Sequence, residues 1–311
     1  MTLHQASGRW RLGLALAVAT ALFWASLPIA LKRVLTVLDP YTITWFRFLF
    51  AALATLAWLA WRGQLDQFRG LQRGHRLLLA VAALGLIGNY LGYLLALDHT
   101  TPANAQLLIQ MAPLLFALGG ILVFREAVSA GQWLGYALIV GGLVLFAGEQ
   151  QAAAAQPERY LLGIGLMLMA AVTWAGYALA QKQLLQRLGS QAILLVIYVA
   201  AALLLLPLAA PVSLAKLDGG DWLALLYCAF NTIFAYGCFA AAIEHWEASR
   251  VGAVLATTPL LTLVFSGTLA LFAPGFVGAE NLGPWTVAGA LLVVGGSALA
   301  SLLKPKPAHK T

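Results

Sequence analysis

Ten runs of apolar residues, each closed by a short polar stretch, organise this chain between residues 12 and 303. They cover 12–31, 41–61, 77–97, 102–124, 130–148, 161–182, 191–210, 222–243, 250–272 and 284–303. A helix rising about 1.5 Å per residue needs roughly 20 apolar residues to cross a bilayer's hydrocarbon layer. The pattern predicts an all-α integral membrane protein with ten transmembrane helices. The first run exceeds the ~7–15-residue core of a signal peptide and is read as a retained span. Helix-start chemistry fills the gaps. Asp39-Pro40 and Thr101-Pro102 each place a capping side chain before a proline at the first helical position. Ser129 with Gln132 three residues on is a capping box, and Gly283-Pro284 opens the last run. The polar tail 304–311 is expected to be a disordered cytoplasmic extension.

The two halves of the chain match each other. Gly13, Trp24-Ala25 and Lys32 align with Gly163, Trp174-Ala175 and Lys182 at an offset of 150 residues. Ala96-Leu97-Asp98-His99 aligns with Ala242-Ile243-Glu244-His245, and Pro113 with Pro259, at an offset of 146. Glu126, Gly135 and Gly141-Gly142 align with Glu280, Gly289 and Gly295-Gly296 at an offset of 154, which implies an eight-residue insertion near Ala273-Pro274-Gly275. The boundary falls in the connection 149–160, giving five-helix repeats over 1–150 and 151–303. Five is odd, so the second repeat enters the membrane from the face opposite to the first. Inverted repeats of this kind recur in transporters, where two similar halves enclose a central site.

Composition agrees. Charged residues make up 9% of the chain against roughly a quarter in soluble domains, while 62% of residues are hydrophobic. The formal charge of +7 is scattered at span ends rather than gathered into a stripe with exposed aromatics, which argues against nucleic acid as a partner. With the N-terminus inside, 13 Lys and Arg fall on inner segments and 4 on outer loops, so both termini are expected in the cytoplasm. Cys228 and Cys238, roughly 15 Å apart on one predicted helix, are too distant for a disulfide.

Phe23-Trp24-Ala25-Ser26 in the first run, Arg47 early in the second, the Ala96-Leu97-Asp98-His99 step, Pro113 and the Glu126, Gly135, Gly141-Gly142 series together resemble the drug/metabolite transporter superfamily, in its EamA-type ten-span branch. The resemblance covers about 12–303 and implies a secondary transporter or exporter of amino acids or other small metabolites in a bacterial inner membrane. The second half departs from the pattern in carrying Ile197 where Arg47 aligns.

Candidate site residues follow from what hydrocarbon penalises. Pro113 and Pro259 lack an N–H, which frees the carbonyls of Ile109 and Leu255 and predicts kinks that serve as hinges or as packing features. Asn89 and Tyr93, Gln106 and Gln110, and Tyr177 lie within spans, where they contact substrate or bond between helices. Trp24 and Trp174, equivalent by repeat, are candidate aromatic walls for an organic substrate. Arg47 sits roughly 10 Å from its helix end, a depth that allows snorkelling to the headgroups, attraction of a carboxylate, or a structural or gating role. His99 and His245, beside Asp98 and Glu244, are expected to be solvated helix-end histidines. No acidic residue falls in mid-span, so exchange or facilitated diffusion with weak or no proton coupling is expected. No Walker loop, metal-ligand motif or nucleophile motif occurs, so ATP, a cofactor, a metal and an enzymatic activity are not expected. The expected partners are the lipid bilayer and a small-molecule substrate. A channel or lipid flippase is the competing reading.

Overall fold

The computed structural model describes residues 9–124, 128–154, 156–246, 248–272 and 283–303. Among these, twelve α-helices follow one another: α1 (Trp10–Val34), α2 (Pro40–Trp61), α3 (Arg73–Asp98), α4 (Pro102–Leu108), α5 (Met111–Phe124), α6 (Ala130–Ala153), α7 (Pro157–Leu184), α8 (Ser190–Leu205), α9 (Gly219–His245), α10 (Ala248–Leu255), α11 (Thr258–Phe272) and α12 (Pro284–Leu302). Arg125, Glu126, Glu247, the insertion near Ala273-Pro274-Gly275, Glu280 and the 304–311 tail lie outside the described residues.

Eight segments are long and apolar enough to cross a membrane, with α4 and α5 together counting as one, and Ser190–Leu205 and Thr258–Phe272 are shorter apolar helices. The count falls short of ten for physical reasons. α8 ends two residues before Pro207, which has no N–H to donate back to the Leu203 carbonyl. The ninth apolar run is broken at Ala256-Thr257, so α11 has only 15 residues.

The expected caps form. The Asp39 carboxylate accepts from the N–H groups of Tyr41 and Thr42, both at 2.9 Å. Ser129 and Gln132 close their reciprocal pair at 3.2 and 3.0 Å. The connection between halves is shorter than the polar residues suggested, because α6 continues to Ala153 and α7 begins at Pro157. Gln150 is buried there, accepting from Asn104 and donating to Thr286, so a neighbouring helix supplies what water would have offered.

The helices pair antiparallel. Arg33 bonds Asp221 at one end of the α1–α9 pair, and Gly13 meets Trp246 at the other. Gly85 meets Thr173 and Tyr177 across α3 and α7, while His99 covers Gly163. Phe48 of α2 stacks near Tyr198 of α8. The tightest approach joins α6 to α12. A Cβ on Gly135 would stand 2.7 Å from the Gly296 carbonyl oxygen, and one on Gly142 would stand 2.6 Å from that of Gly289. Gly141 and Gly295, the other members of the paired glycines, face open space. Ser301 lies against Gly252 of α10, close in sequence to Trp246, which brings the start of α1 and the end of α12 to the same end of the bundle.

This packing gives a test with its own control. Gly142→Leu forces a side chain into the α12 backbone and is expected to destabilise the detergent-purified protein by roughly 1–3 kcal/mol or more. Gly141→Leu, one residue away on the open face, should stay within about 0.5 kcal/mol. Equal losses in thermal unfolding of the two variants would refute the assigned contact.

Candidate functional site

Three places where helix hydrogen bonding is interrupted converge in the interior. In the fourth apolar run the helix stops at Leu108 and restarts at Met111, with the Ala112 N–H reaching back to the Ile109 carbonyl at 2.8 Å. In the ninth, the hydroxyls of Thr257 and Thr258 answer the carbonyls of Val254 and Leu255. The breaks fall at equivalent places in the two halves, two to four residues before Pro113 and Pro259. Pro113 itself is exposed at the start of α5, whereas Pro259 is buried. Gln110 occupies the first break and is half-buried. The third interruption lies in α1, where Pro28 leaves the Trp24 carbonyl without its usual partner. The flanking carbonyls of Phe23 and Ala25 accept from Asn231 at 2.7 Å and from Thr262 at 2.9 Å. Ser26 and Tyr227 join their hydroxyls beside them.

Arg47 stands next to this region and does not snorkel. It is 3% exposed. Its Nε donates to the Thr232 hydroxyl at 3.1 Å and to the Cys228 carbonyl at 3.3 Å, both on α9. The guanidinium carbon lies 4.8 Å from the centre of the Tyr90 ring on α3. A desolvated contact of this kind is worth about 2 kcal/mol or more. Among the described residues no carboxylate pairs with Arg47. A buried charge without a counter-ion is costly, and an ionisable group at membrane depth is by default a candidate for function.

Aromatic rings surround the guanidinium, and the repeat builds much of this wall twice. Tyr90 stacks on Phe48 at 4.6 Å, and its hydroxyl sits beside Thr232 and Tyr236. Tyr236 packs edge-on against Trp24 at 5.7 Å, and Phe239 meets the same indole. Tyr90 and Tyr236 are related by the 146-residue offset, as are Tyr93 and Phe239, and Phe48 and Tyr198 by the offset of 150. Trp174 packs against Phe116 and Tyr177, and Tyr177 shares a core with Tyr90 and Tyr198. The Tyr93 hydroxyl donates to Gln106 at 3.1 Å.

Tyr90 thus touches Arg47 directly and Trp24 through Tyr236, Tyr177 and Trp174 continue the same core, and Tyr93, on the next turn of α3, forms a pair with Gln106. Asn89 is set apart: its amide donates to the Ala170 carbonyl at 2.9 Å and ties α3 to α7. Sequence reasoning missed Tyr236, Tyr198, Thr232 and Asn231. For the two tyrosines the signal was present, because applying the repeat offsets to Tyr90 and Phe48 points to them. Thr232 and Asn231 carry no such mark.

Comparison with known proteins agrees with this architecture. The model of the EamA-like transporter family matches residues 11–148 and again 161–302. The chain is 34% identical to an uncharacterized transporter of Haemophilus influenzae, over 96% of this chain and 97% of that protein. It is 34% identical to the uncharacterized inner membrane transporter YhbE of Escherichia coli K12, over 94% of this chain and 91% of the other. A protein of Salmonella typhimurium bearing the name "Probable amino-acid metabolite efflux pump" is 26% identical over 90% of this chain and 92% of its own. With two family matches that between them take up most of its length, and with helices able to cross the bilayer many times, the chain is a multi-pass membrane protein that belongs to the EamA-like transporter family.

Proposed function

We propose that this protein is a secondary transporter, an exporter or exchanger, of small carboxylate-bearing metabolites such as amino acids. It works by alternating access in the inner membrane, with both termini cytoplasmic. The observation that carries the reading is Arg47, the one buried cation among the described residues, walled by aromatic rings from both halves. A carboxylate would supply the counter-ion that the protein withholds, with the fork geometry that guanidinium favours. The surrounding tyrosines and tryptophans would take up an organic body. The amino-acid efflux relative supports that substrate class.

The architecture we propose is ten spans in two inverted repeats, with Ser190–Leu205 as the seventh and the broken α10–α11 segment as the ninth. Its support is the pairing of equivalent helices. α6 and α12 correspond by repeat yet run antiparallel, and the contact of Gly135 with Gly296 maps onto that of Gly289 with Gly142. Such a relation is a two-fold axis across the helices, which is the geometry of opposed halves exchanging conformations. In this reading the unwound segments at Gln110 and Thr257 are hinges.

Two experiments test the proposal. In proteoliposomes, Arg47→Gln is expected to cut uptake of a carboxylate substrate by at least about thirtyfold, the effect of losing a buried charge pair worth ~2 kcal/mol or more. The free protein should stay folded with little change in thermal stability, because removing an uncompensated buried charge offsets the lost contacts with Tyr90, Thr232 and the Cys228 carbonyl. Transport at the parent rate, or a stability loss that accounts for the defect, would reject a substrate role. Wild-type vesicles should show saturation and counterflow, which a channel lacks. The described acidic residue most deeply buried is Asp221, held by Arg33 at 2.7 Å near the start of α9. Substrate entry is therefore expected to move no protons, and a substrate-dependent signal from a pH dye trapped in the vesicles would overturn that part of the mechanism.

A further inference from the structure

A guanidinium can receive a carboxylate on its Nε edge or on the fork of its two terminal amino groups. Both hydrogen bonds of Arg47 leave from Nε, to the Thr232 hydroxyl at 3.1 Å and to the Cys228 carbonyl at 3.3 Å. Neither terminal amino group has a hydrogen-bond partner among the described residues. The described side-chain atoms that are both unpartnered and fully enclosed are His75 Nδ1, Thr100 Oγ1, Tyr160 Oη and Ser266 Oγ. The terminal N–H groups of Arg47 are not of that set, so they share in the 3% of the residue that stays accessible. We infer that Thr232 is a positioning residue that pins Arg47 by Nε, so that the terminal fork alone faces the substrate and takes one carboxylate per molecule carried. Both statements presuppose the carboxylate role proposed above for Arg47.

The local chemistry of Thr232 suits that task. Its hydroxyl donates to the Cys228 carbonyl, one helical turn back, at 2.9 Å. That bond fixes the side-chain rotamer and commits the only hydroxyl proton, so the oxygen turns lone pairs toward Nε. A guanidinium only donates, and the two groups match in this one orientation. Thr232 and Cys228 are both buried, which shields the anchor from water. Tyr90 covers one face of the guanidinium, its ring centre 4.8 Å from the central carbon. With the Nε edge occupied and one face closed, a carboxylate approaches end-on, where two parallel N–H bonds reach both of its oxygens.

The repeat separates this pair from the scaffold. At the offsets of 150 and 146 residues, Arg47 corresponds to Ile197 and Thr232 to Leu86. Ile197 and Leu86 are fully buried in one apolar core. The duplicated helices therefore pack with an apolar pair at these positions, and the threonine occurs in the place that faces the arginine. Charge then limits the ligand. Among the described residues the other buried charge is Asp221, which Arg33 already holds. One guanidinium balances one carboxylate. A second carboxylate on the same substrate would lie among Trp24, Tyr236 and Phe239 with nothing to neutralise it.

Uptake of radiolabelled L-leucine by the full chain in proteoliposomes tests both parts. Thr232→Val keeps the shape and removes the acceptor, and is expected to raise KM about tenfold with little change in the maximal rate. Thr232→Ser should recover most of that affinity, and Thr232→Val should unfold close to the parent temperature. L-Glutamate should compete with the label at least about tenfold less well than unlabelled L-leucine, the cost of an unpaired second carboxylate. The positioning role is overturned if Thr232→Val keeps the parent KM, if Thr232→Ser restores nothing, or if the transport defect follows a loss of thermal stability. Equal competition by L-glutamate, or a wild type that carries no L-leucine, overturns the single-carboxylate fork. Loss of uptake in Arg47→Gln beside a parent-like Thr232→Val would remove the inference and leave the central site standing. Uptake at the parent rate in Arg47→Gln would remove both.

Discussion

Hydrocarbon offers no hydrogen bonds, so every backbone group that leaves helical geometry must find its partner inside the protein. That constraint explains the polar residues placed deep in this bundle. Thr257 and Thr258 serve the carbonyls released before Pro259, and Asn231 and Thr262 serve those beside Pro28 in α1. Each such side chain licenses one irregularity and fixes where a helix is allowed to bend. The interruptions in α1, between α4 and α5, and between α10 and α11 are therefore local properties written by a few residues, and they surround the same interior as Arg47 and its aromatic wall.

The scaffold is built twice, but its charge is not. Ile197, the counterpart of Arg47, is fully buried in the apolar core with Phe48, Tyr90 and Tyr198. One guanidinium therefore belongs to a surrounding assembled from both halves, reached from α2 and braced by α9. A second one would double the desolvation cost and repel the first.

Much of the fold was legible in the order of residues. The apolar runs located the helices, Asp39, Thr101 and Ser129 marked starts that the structure confirms, and the repeat offsets anticipated which helices are equivalent. Where the reading fell short, tertiary partners were the reason. Glu149 and Gln150 looked like a loop, yet they continue α6, where the Thr286 hydroxyl accepts from Gln150 and the Thr286 N–H donates to Glu149. Asn89 looked as suited to substrate as Tyr93, and only the Ala170 carbonyl decides its use. Arg47 had depth enough to reach the headgroups, but Thr232 and Tyr90 turn it inward. Spacing along a helix tells which side chains share a face. It does not tell which neighbour lies across from them.

The four-glycine seam of α6 and α12 carries a mechanical consequence. Backbone touches backbone at two levels about two turns apart, so a slip by one residue would drive a side chain into a carbonyl at one level at least. The pair has no shallow sliding mode. In the proposed alternating-access cycle it would act as a stator, a post of fixed register shared by both repeats, around which the other helices shift.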